Sequence, residues 1–401
     1  MYQFEDHYYT INKTFLKALG IWPHSKSRLV LLQRMLVIIV TVSFVGMQVT
    51  KSAYKLSVFF TTKFDLILFI RTMSFAFPTI IITLKYFVFI FKSETIKILH
   101  YHIEEDWKMI QSKLEIEILK KHAHYGRTYT IFAYLYACFM LIGGIIIEFL
   151  PFILDVVLPL DKPRSRAVII KVEYFIPLEY EYFSMQILHE LVIMVVYGSV
   201  LLATATQLLT FTCHSFGMFK IASHRVEYFI EDTFLHAPDL KKKRAICRSI
   251  VQAVIAHRRA LEFSDIIISS FNAPYCTIAI FGVLSLSINL FSFVEAATLT
   301  KNMEDMVKSC LVTSAHLIYM YVASYIAQKI TDSNREIFRL IYGVSWYLMP
   351  VSSQKLILFL MQKTSKDFYF TLGYILVGKM ESFASLLNSA LSYVAVMCSV
   401  Q

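Results

Sequence analysis

The C-terminal segment Glu381–Gln401 reads ESFASLLNSALSYVAVMCSVQ and has the length and apolar content of a membrane-spanning helix. At about 100° per residue, a stripe of small and mostly polar side chains falls within an arc of about 80°. This stripe contains Ser385, Ser389, Ser392, Val396 and Ser399. The opposite face is apolar and contains Phe383, Leu387, Ala390, Val394 and Met397. The segment is therefore predicted to be a membrane helix with two chemically different faces.

The polar stripe has two physical uses, and its pattern alone leaves both open. Small residues let helices approach closely and hydroxyls bond across the contact, so the stripe could pack against another helix. Alternatively, several copies of the helix could surround a pore and turn the stripe towards water. The rest of the chain has to decide between these uses.

The whole chain has the composition of a membrane protein. Of its 401 residues 57% are hydrophobic, and the mean hydropathy is +0.57, which is more apolar surface than a soluble domain of this length can hide. The six cysteines lie in or beside apolar stretches, so we expect no disulfide framework. Spans are predicted at about 29–50, 65–91, 128–151, 184–212, 266–298, 306–328 and 382–400. The prediction is one all-α domain over residues 1–401 with seven transmembrane helices.

The distribution of Lys and Arg predicts the orientation of these spans. Basic residues concentrate before span one and after spans two, four and six, including the run Lys241–Arg244, whereas the alternate loops hold far fewer. Because basic loops stay in the cytoplasm, the N-terminus is predicted inside the cell and the C-terminus outside. The sequon Asn12-Lys13-Thr14 would then carry no glycan.

Three stretches outside the spans, about 92–127, 214–265 and 329–364, are predicted to form cytoplasmic anchor helices. Within Glu94–Arg127, apolar residues recur every three or four positions from Ile96 to Ile118, which predicts that span two continues as a helix beyond the membrane. Ala245–Phe263 repeats this pattern. The basic residues behind the formal charge of +10 lie in such segments between the spans. They therefore indicate that the two sides of the membrane differ in charge, and we expect no nucleic-acid partner.

Residue patterns typical of enzymes are missing from the sequence. It contains no phosphate-binding glycine loop, no H-E-x-x-H zinc motif, no C-x-x-C pair and no G-x-S-x-G turn. The histidines are scattered along the chain. We therefore expect no catalytic activity, no metal site and no cofactor.

Several ionisable residues fall inside the predicted spans, where their desolvation is costly. They are Arg71, Lys85, Glu148, His189, Glu190, Glu295 and His316. Lys85 and Glu295 are close to span ends, which predicts side chains that extend to the membrane interface. Arg71 is deeper, and an ion pair with Glu148 or Glu190 is the structural interpretation, with a ligand contact as the alternative.

The outer halves of spans two, three, four and six carry aromatic, Met and Gly residues that could line an apolar ligand pocket. The candidates are Phe69, Met73, Phe77, Phe139, Gly143, Ile147, Met185, His189, Ile193, Val196, His316, Tyr319 and Met320. Ordinary helix packing explains the same pattern, so the residues alone leave both interpretations open.

Several stretches match the pattern of a known family. The most specific are Ile-Tyr-Gly-Val-Ser-Trp-Tyr at Ile341–Tyr347, then Gln354-Lys355, Phe368–Gly373, Ser382-Phe383 and Ser392-Tyr393-Val394. Ile255–Leu261 and Gln186 after Tyr182 add weaker matches. Together they resemble the insect odorant receptor family, thinly over most of the chain and specifically near its end.

The resemblance implies a subunit of a tetrameric, ligand-gated, nonselective cation channel whose last span lines a central pore. It makes Val396 the hydrophobic gate, Ser399 the adjacent polar position and Val400 a residue near the outer mouth, on the stripe that also holds Ser389 and Ser392. It also places an apolar volatile in the outer pocket. The resemblance therefore favours pore lining as the use of the polar stripe.

Two departures refine the implied assignment and its partners. The ending after Ser392-Tyr393 differs from that of gustatory receptors, and the compact segment 216–264 is shorter than in the olfactory coreceptor. The resemblance thus implies a tuning subunit that assembles with olfactory coreceptor subunits as a heterotetramer. Its other partners would be an odorant, membrane lipid and permeant cations, in the plasma membrane of olfactory sensory neurons.

A gustatory-type or G-protein-coupled chemoreceptor is the alternative, although the latter requires the opposite orientation.

Overall fold

The computed structural model describes residues 3–25, 27–61, 66–158, 183–234, 240–299, 301, 303–343, 346–366, 368–373 and 376–400. The helices are α1 (Gln3–Ala18), α2 (Arg28–Thr61), α3 (Leu66–Phe91), α4 (Ser93–Met109), α5 (Lys113–Val157), α6 (Phe183–Phe234), α7 (Leu240–Thr298), α8 (Met303–Tyr342), α9 (Val351–Thr364) and α10 (Met380–Val400). A short 3₁₀ turn, Trp346–Leu348, precedes α9, and two paired strands, β1 (Thr371–Leu372) and β2 (Leu376–Val377), precede α10.

Seven helices are long and apolar enough to cross a membrane, namely α2, α3, α5, α6, α7, α8 and α10. Each predicted span coincides with one of them, which confirms the prediction of an all-helical fold with seven candidate spans. Large apolar side chains such as Leu32, Phe132 and Leu135 are exposed along α2 and α5. Hydrocarbon makes that exposure favourable, so these faces suit contact with lipid.

The longest helices extend far beyond any bilayer. α6 has 52 residues and α7 has 59. At 1.5 Å per residue they span about 78 and 88 Å, whereas the hydrocarbon core is about 30 Å thick. Their surplus length lies together with the start of α5, the end of α8 and α9, and we name this part the distal bundle.

The distal bundle has an apolar core of its own. Its buried residues are Ile110, Leu119, Met218, Phe219, Ile221, Ala222, Val226, Ile250, Ala253, Ala256, Ala260, Ile330, Ile337, Ile341, Met349, Ile357 and Leu360. The spacing of Ala253, Ala256 and Ala260 puts small side chains on one face of α7, which lets neighbouring helices approach closely. Burial of each large apolar side chain contributes about 1.5–3 kcal/mol, so this region needs no lipid to hold it together.

Charged residues of the distal bundle are joined in specific pairs. Asp106 is buried, and its two carboxylate oxygens accept from Arg259 Nε at 2.7 Å and His214 Nε2 at 2.9 Å. Arg225 donates two hydrogen bonds to Glu115, at 2.7 and 2.9 Å. Removing one partner of such a buried pair typically costs about 3–5 kcal/mol, so these contacts fix how α4, α5, α6 and α7 meet.

The region after span two is not the one continuous helix that the sequence predicts. α3 ends at Phe91, α4 at Met109, and a break over 110–112 separates α4 from α5. Ile110 turns to extended backbone with ψ 115°, yet its side chain stays buried in the distal core. Because the apolar repeat continues through this break, the sequence pattern does not reveal it, and Leu114, predicted on the apolar face, is exposed.

Asn12 lies against α6 rather than on the surface. Its side-chain amide donates to the Thr206 carbonyl at 3.2 Å and the Thr210 hydroxyl at 2.6 Å, and the residue is buried. The folded chain therefore leaves no room for a glycan there, whichever side of the membrane α1 occupies. Orientation stays a prediction from the charge distribution.

The connection from α9 to α10 is fastened to α7. Its strands pair Thr371 with Val377, and Gly373 at the turn has φ +64°. The Gly373 amide donates to the Asn272 side chain, and a Cβ at Gly373 would collide with Cys276. This turn therefore requires glycine both for its backbone conformation and for close approach to α7.

Gly373→Ala is expected to destabilise the protein by at least about 1–2 kcal/mol, since an L-side chain is unfavourable in this conformation even before the collision is counted. The measurement is the melting temperature of the purified protein in detergent. Gly282→Ala on α7 is the control, because a Cβ there meets no atom within 4 Å. Equal melting temperatures for the two variants would contradict the role given to Gly373.

Candidate functional site

The polar stripe of α10 is exposed along its whole described length. Ser385, Ser389, Ser392 and Ser399 are exposed, and Val396 is 59% exposed. The hydroxyls of Ser389, Ser392 and Ser399 bond back to carbonyls of their own helix at 2.8–3.0 Å. Among the described residues, no other helix of this chain covers the stripe, so packing within the chain is not its use. The side chain of Val400 lies outside the described residues.

The opposite face of α10 is packed against α7 and α8. Ala390 is 0% exposed and lies in a cluster with Val283 and Leu286 of α7, against which Leu317 and Met320 of α8 also pack. Closer to the C-terminus, Val394 and Met397 pack against Ile288 and Phe291 of α7. The structure thus separates the two faces as the helical pattern predicts.

Three predicted ligand residues lie beside this packed face. Met73 and Phe77 of α3 pack against the Ile288–Phe291 pair that Val394 and Met397 also contact. Met320 packs in the Ala390 cluster. A molecule that displaced Met73 or Phe77 would therefore alter packing within one helical turn of Val396.

A second group lies against α2 instead. Ile193 and Val196 pack with Phe44 and Tyr197, and the Ser43 hydroxyl lies 3.2 Å from His189 Nε2. None of the described apolar clusters contains both this group and α10. The predicted pocket residues are thus divided between two neighbourhoods.

The remaining candidates are dispersed. Phe139 is 66% and Met185 67% exposed, so each projects from the outer surface of the bundle. Gly143 has open space around it and Ile147 is half-buried. His316 donates from Nδ1 to the Val312 carbonyl of its own helix at 2.9 Å. The side chains of Phe69 and Arg71 lie outside the described residues.

Lys85 does not extend to the interface as predicted. It is 0% exposed, its amine donates to the Tyr319 hydroxyl, and the nitrogen lies 4.2 Å from the Tyr319 ring centre and 5.1 Å from that of Tyr275. Glu295 is buried as well, as are Glu148 and Glu190. Sequence reasoning missed Tyr275, although the positions of Lys85, Tyr275 and Tyr319 within their spans place them at a similar depth.

A histidine pair lies outside the spans, between the α1–α2 connection and α4. His24 Nε2 is 3.3 Å from His100 Nδ1, and the Gln207 amide contacts His100 Nε2 at 3.0 Å. Desolvation lowers the pKa of His100 to about 3 and also lowers the pKa of His24, so both rings are neutral at pH 7. In the described part of the chain no three metal-ligating side chains converge, and this pair joins helices.

Comparisons with known proteins bear on the family and on the fold. A sequence model of the 7tm odorant receptors matches residues 65–391. The fold is similar to the insect olfactory receptor OR5 from Machilis hrabei in complex with eugenol, with a TM-score of 0.76 and 14% identity over 98% of this chain and 99% of that one. It is also similar to another structure of that receptor, with a TM-score of 0.69 and 13% identity over 99% of each chain. No curated protein matches the chain in sequence.

Proposed function

The chain belongs to the 7tm odorant receptor family, and from this premise we propose that it is the odorant-binding subunit of a heterotetrameric, ligand-gated, nonselective cation channel. The observation that carries this proposal is the exposed serine stripe of α10, opposite a face that packs against α7 and α8. Several copies of the helix around one axis would turn these hydroxyls from lipid towards water. The olfactory coreceptor would supply the other copies, in the plasma membrane of sensory neurons.

Val396 is the apolar position within that stripe, between Ser392 and Ser399. A ring of such side chains would form a hydrophobic constriction, which closes a pore by excluding water. Hydroxyls on both sides of it offer ions weak and unselective contacts. Val396 is therefore the proposed gate, and Ser389, Ser392, Ser399 and Val400 are the proposed pore-lining residues.

Subunit assembly is supported by the distal bundle. α9 exposes Val351, Leu358 and Phe359, with Leu358 63% exposed, in a region beyond the reach of a single bilayer. Apolar side chains exposed to water favour contact with another protein surface. With the N-terminus inside the cell, as the basic loops predict, the distal bundle would form a cytoplasmic anchor between subunits.

The proposed ligand region lies beside the residues of α7 that support α10, where Met73 and Phe77 pack against Ile288 and Phe291, and it extends to Met320 in the Ala390 cluster. A ligand opens a channel only if it binds the open arrangement more tightly than the closed one. Displacement of Met73 or Phe77 would change the support of the gate through Ile288 and Phe291. The Machilis hrabei receptor was solved with eugenol, which supports a small organic ligand for this chain.

The proposal is tested by whole-cell recording in heterologous cells that express the chain with or without the olfactory coreceptor, against a panel of odorants. We expect an odorant-evoked, nonselective cation current that needs the coreceptor and persists when G-protein signalling is blocked. A response that disappears with that block would overturn the channel assignment.

Val396→Ala is expected to raise the current measured without odorant several-fold, because a smaller side chain widens the constriction and lets water enter. The control is Val42→Ala, which removes the same two methyl groups from a 63% exposed position on α2. Unchanged leak and rectification at normal surface expression would remove Val396 from the gate.

Met73→Ala is expected to shift the odorant concentration for half-maximal current by about tenfold, since loss of a large, partly buried side chain changes contacts worth about 1 kcal/mol or more. Met35→Ala on α2, where Met35 is half exposed, should leave the dose–response curve in place. The same curve for both variants would show that the ligand region has been misplaced.

A further inference from the structure

Lys85, Tyr275 and Tyr319 bring three polar groups from three helices to one buried point. Lys85 belongs to α3, Tyr275 to α7 and Tyr319 to α8. The Lys85 amine is enclosed completely and lies near both phenol rings, 4.2 Å from one centroid and 5.1 Å from the other. Such a group is expensive inside a membrane and usually marks a functional contact.

The three groups offer more hydrogen-bond donors than acceptors. An ammonium group has three N–H donors, and the one described bond leads to the Tyr319 hydroxyl. The hydroxyl of Tyr275 is buried and has no hydrogen-bond partner among the residues that the structure describes. Within the same residues, no carboxylate contacts the Lys85 nitrogen. The cluster is thus deficient in acceptor oxygens.

Aromatic faces compensate only part of this deficit. The attraction between a cation and a ring is weaker than the cost of leaving a polar group unsatisfied in hydrocarbon. A carboxylate would complete the set, because it carries two oxygens with about four acceptor positions and the opposite charge. A neutral carbonyl or alcohol would satisfy fewer donors and leave any charge uncompensated.

We propose that Lys85, Tyr275 and Tyr319 form a binding site for the carboxylate of a small aliphatic acid. The inference rests on the proposed function, since Tyr319 is one of the candidate pocket residues and precedes Met320, which packs in the Ala390 cluster of α10. The acid's alkyl chain would extend among the apolar side chains of that region. An acid bound there joins α3, α7 and α8, and α7 and α8 are the helices that support α10.

Two measurements on the full chain assembled with the coreceptor test the site. The ligands are hexanoic acid, its methyl ester and hexanol, which share an alkyl chain and differ in the oxygen group. Thermal stabilisation of the purified complex reports binding without any need for conduction. Whole-cell current reports gating by the same three compounds.

Lys85→Met keeps an unbranched side chain and removes the amine. It is expected to weaken the response to hexanoic acid about tenfold or more relative to the ester, since a charge-assisted bond is lost. Tyr275→Phe removes one oxygen only, and we expect a smaller loss of about three- to tenfold for the acid. The ester and hexanol should shift by a common, smaller factor in both variants.

The outcomes separate this inference from the channel assignment. Stabilisation by the acid that Lys85→Met abolishes would support the site even if no compound evoked current, and the missing current would count against the channel alone. No stabilisation of the wild type by hexanoic acid, or equal shifts for all three ligands in Lys85→Met, would overturn the site. If Lys85→Met does not reach the surface, an unchanged acid response in Tyr275→Phe would overturn it.

Discussion

The length of α7 is the constraint on which the rest of the structure depends. One continuous helix of 59 residues runs through the distal bundle and the membrane region, so every element packed along it is held in a common frame. Its first half carries Ile250 in the distal core. Asn272 and Cys276 contact the turn before α10, and residues between Val283 and Phe291 pack against α10 itself. The distal bundle and the proposed pore helix are thus linked by one helix, with Pro274 in its interior, rather than by a loop.

The two halves of the molecule neutralise charge in different ways. In the distal bundle, carboxylates and guanidinium groups meet directly, as in the bond from Arg259 to Asp106 and the double contact of Arg225 with Glu115. Arg259 and Arg225 stay partly exposed there, which keeps the cost of their desolvation moderate. Within the membrane region, the contacts described for the Lys85 amine are with the phenols of Tyr319 and Tyr275. No described carboxylate balances this amine, in contrast to the arginines of the distal bundle.

Length and hydropathy were sufficient to predict the seven spans, because hydrocarbon thickness fixes how many apolar residues a span needs. The helical period was sufficient to separate the two faces of α10. Apolar residues in a membrane protein do not reveal whether they face lipid or protein, since both surroundings are apolar. The pattern therefore does not predict that Phe139 and Met185 are exposed in this chain. Lys85 was misread because its burial depends on where two other helices place Tyr275 and Tyr319. No local sequence pattern predicts such a contact between three helices.

The attachment of α10 near its first turn has a mechanical consequence. The turn at Gly373 is bonded to α7, the Ser382 hydroxyl donates to the Val377 carbonyl, and the ring of Phe383 lies 5.8 Å from that of Tyr321. These contacts act as a pivot. Val396 lies about 21 Å along the helix from Ser382, so a tilt of roughly 5° about the pivot moves it sideways by about 2 Å. Because of this length, a small tilt of the helix would displace its far end by about the width of an ion.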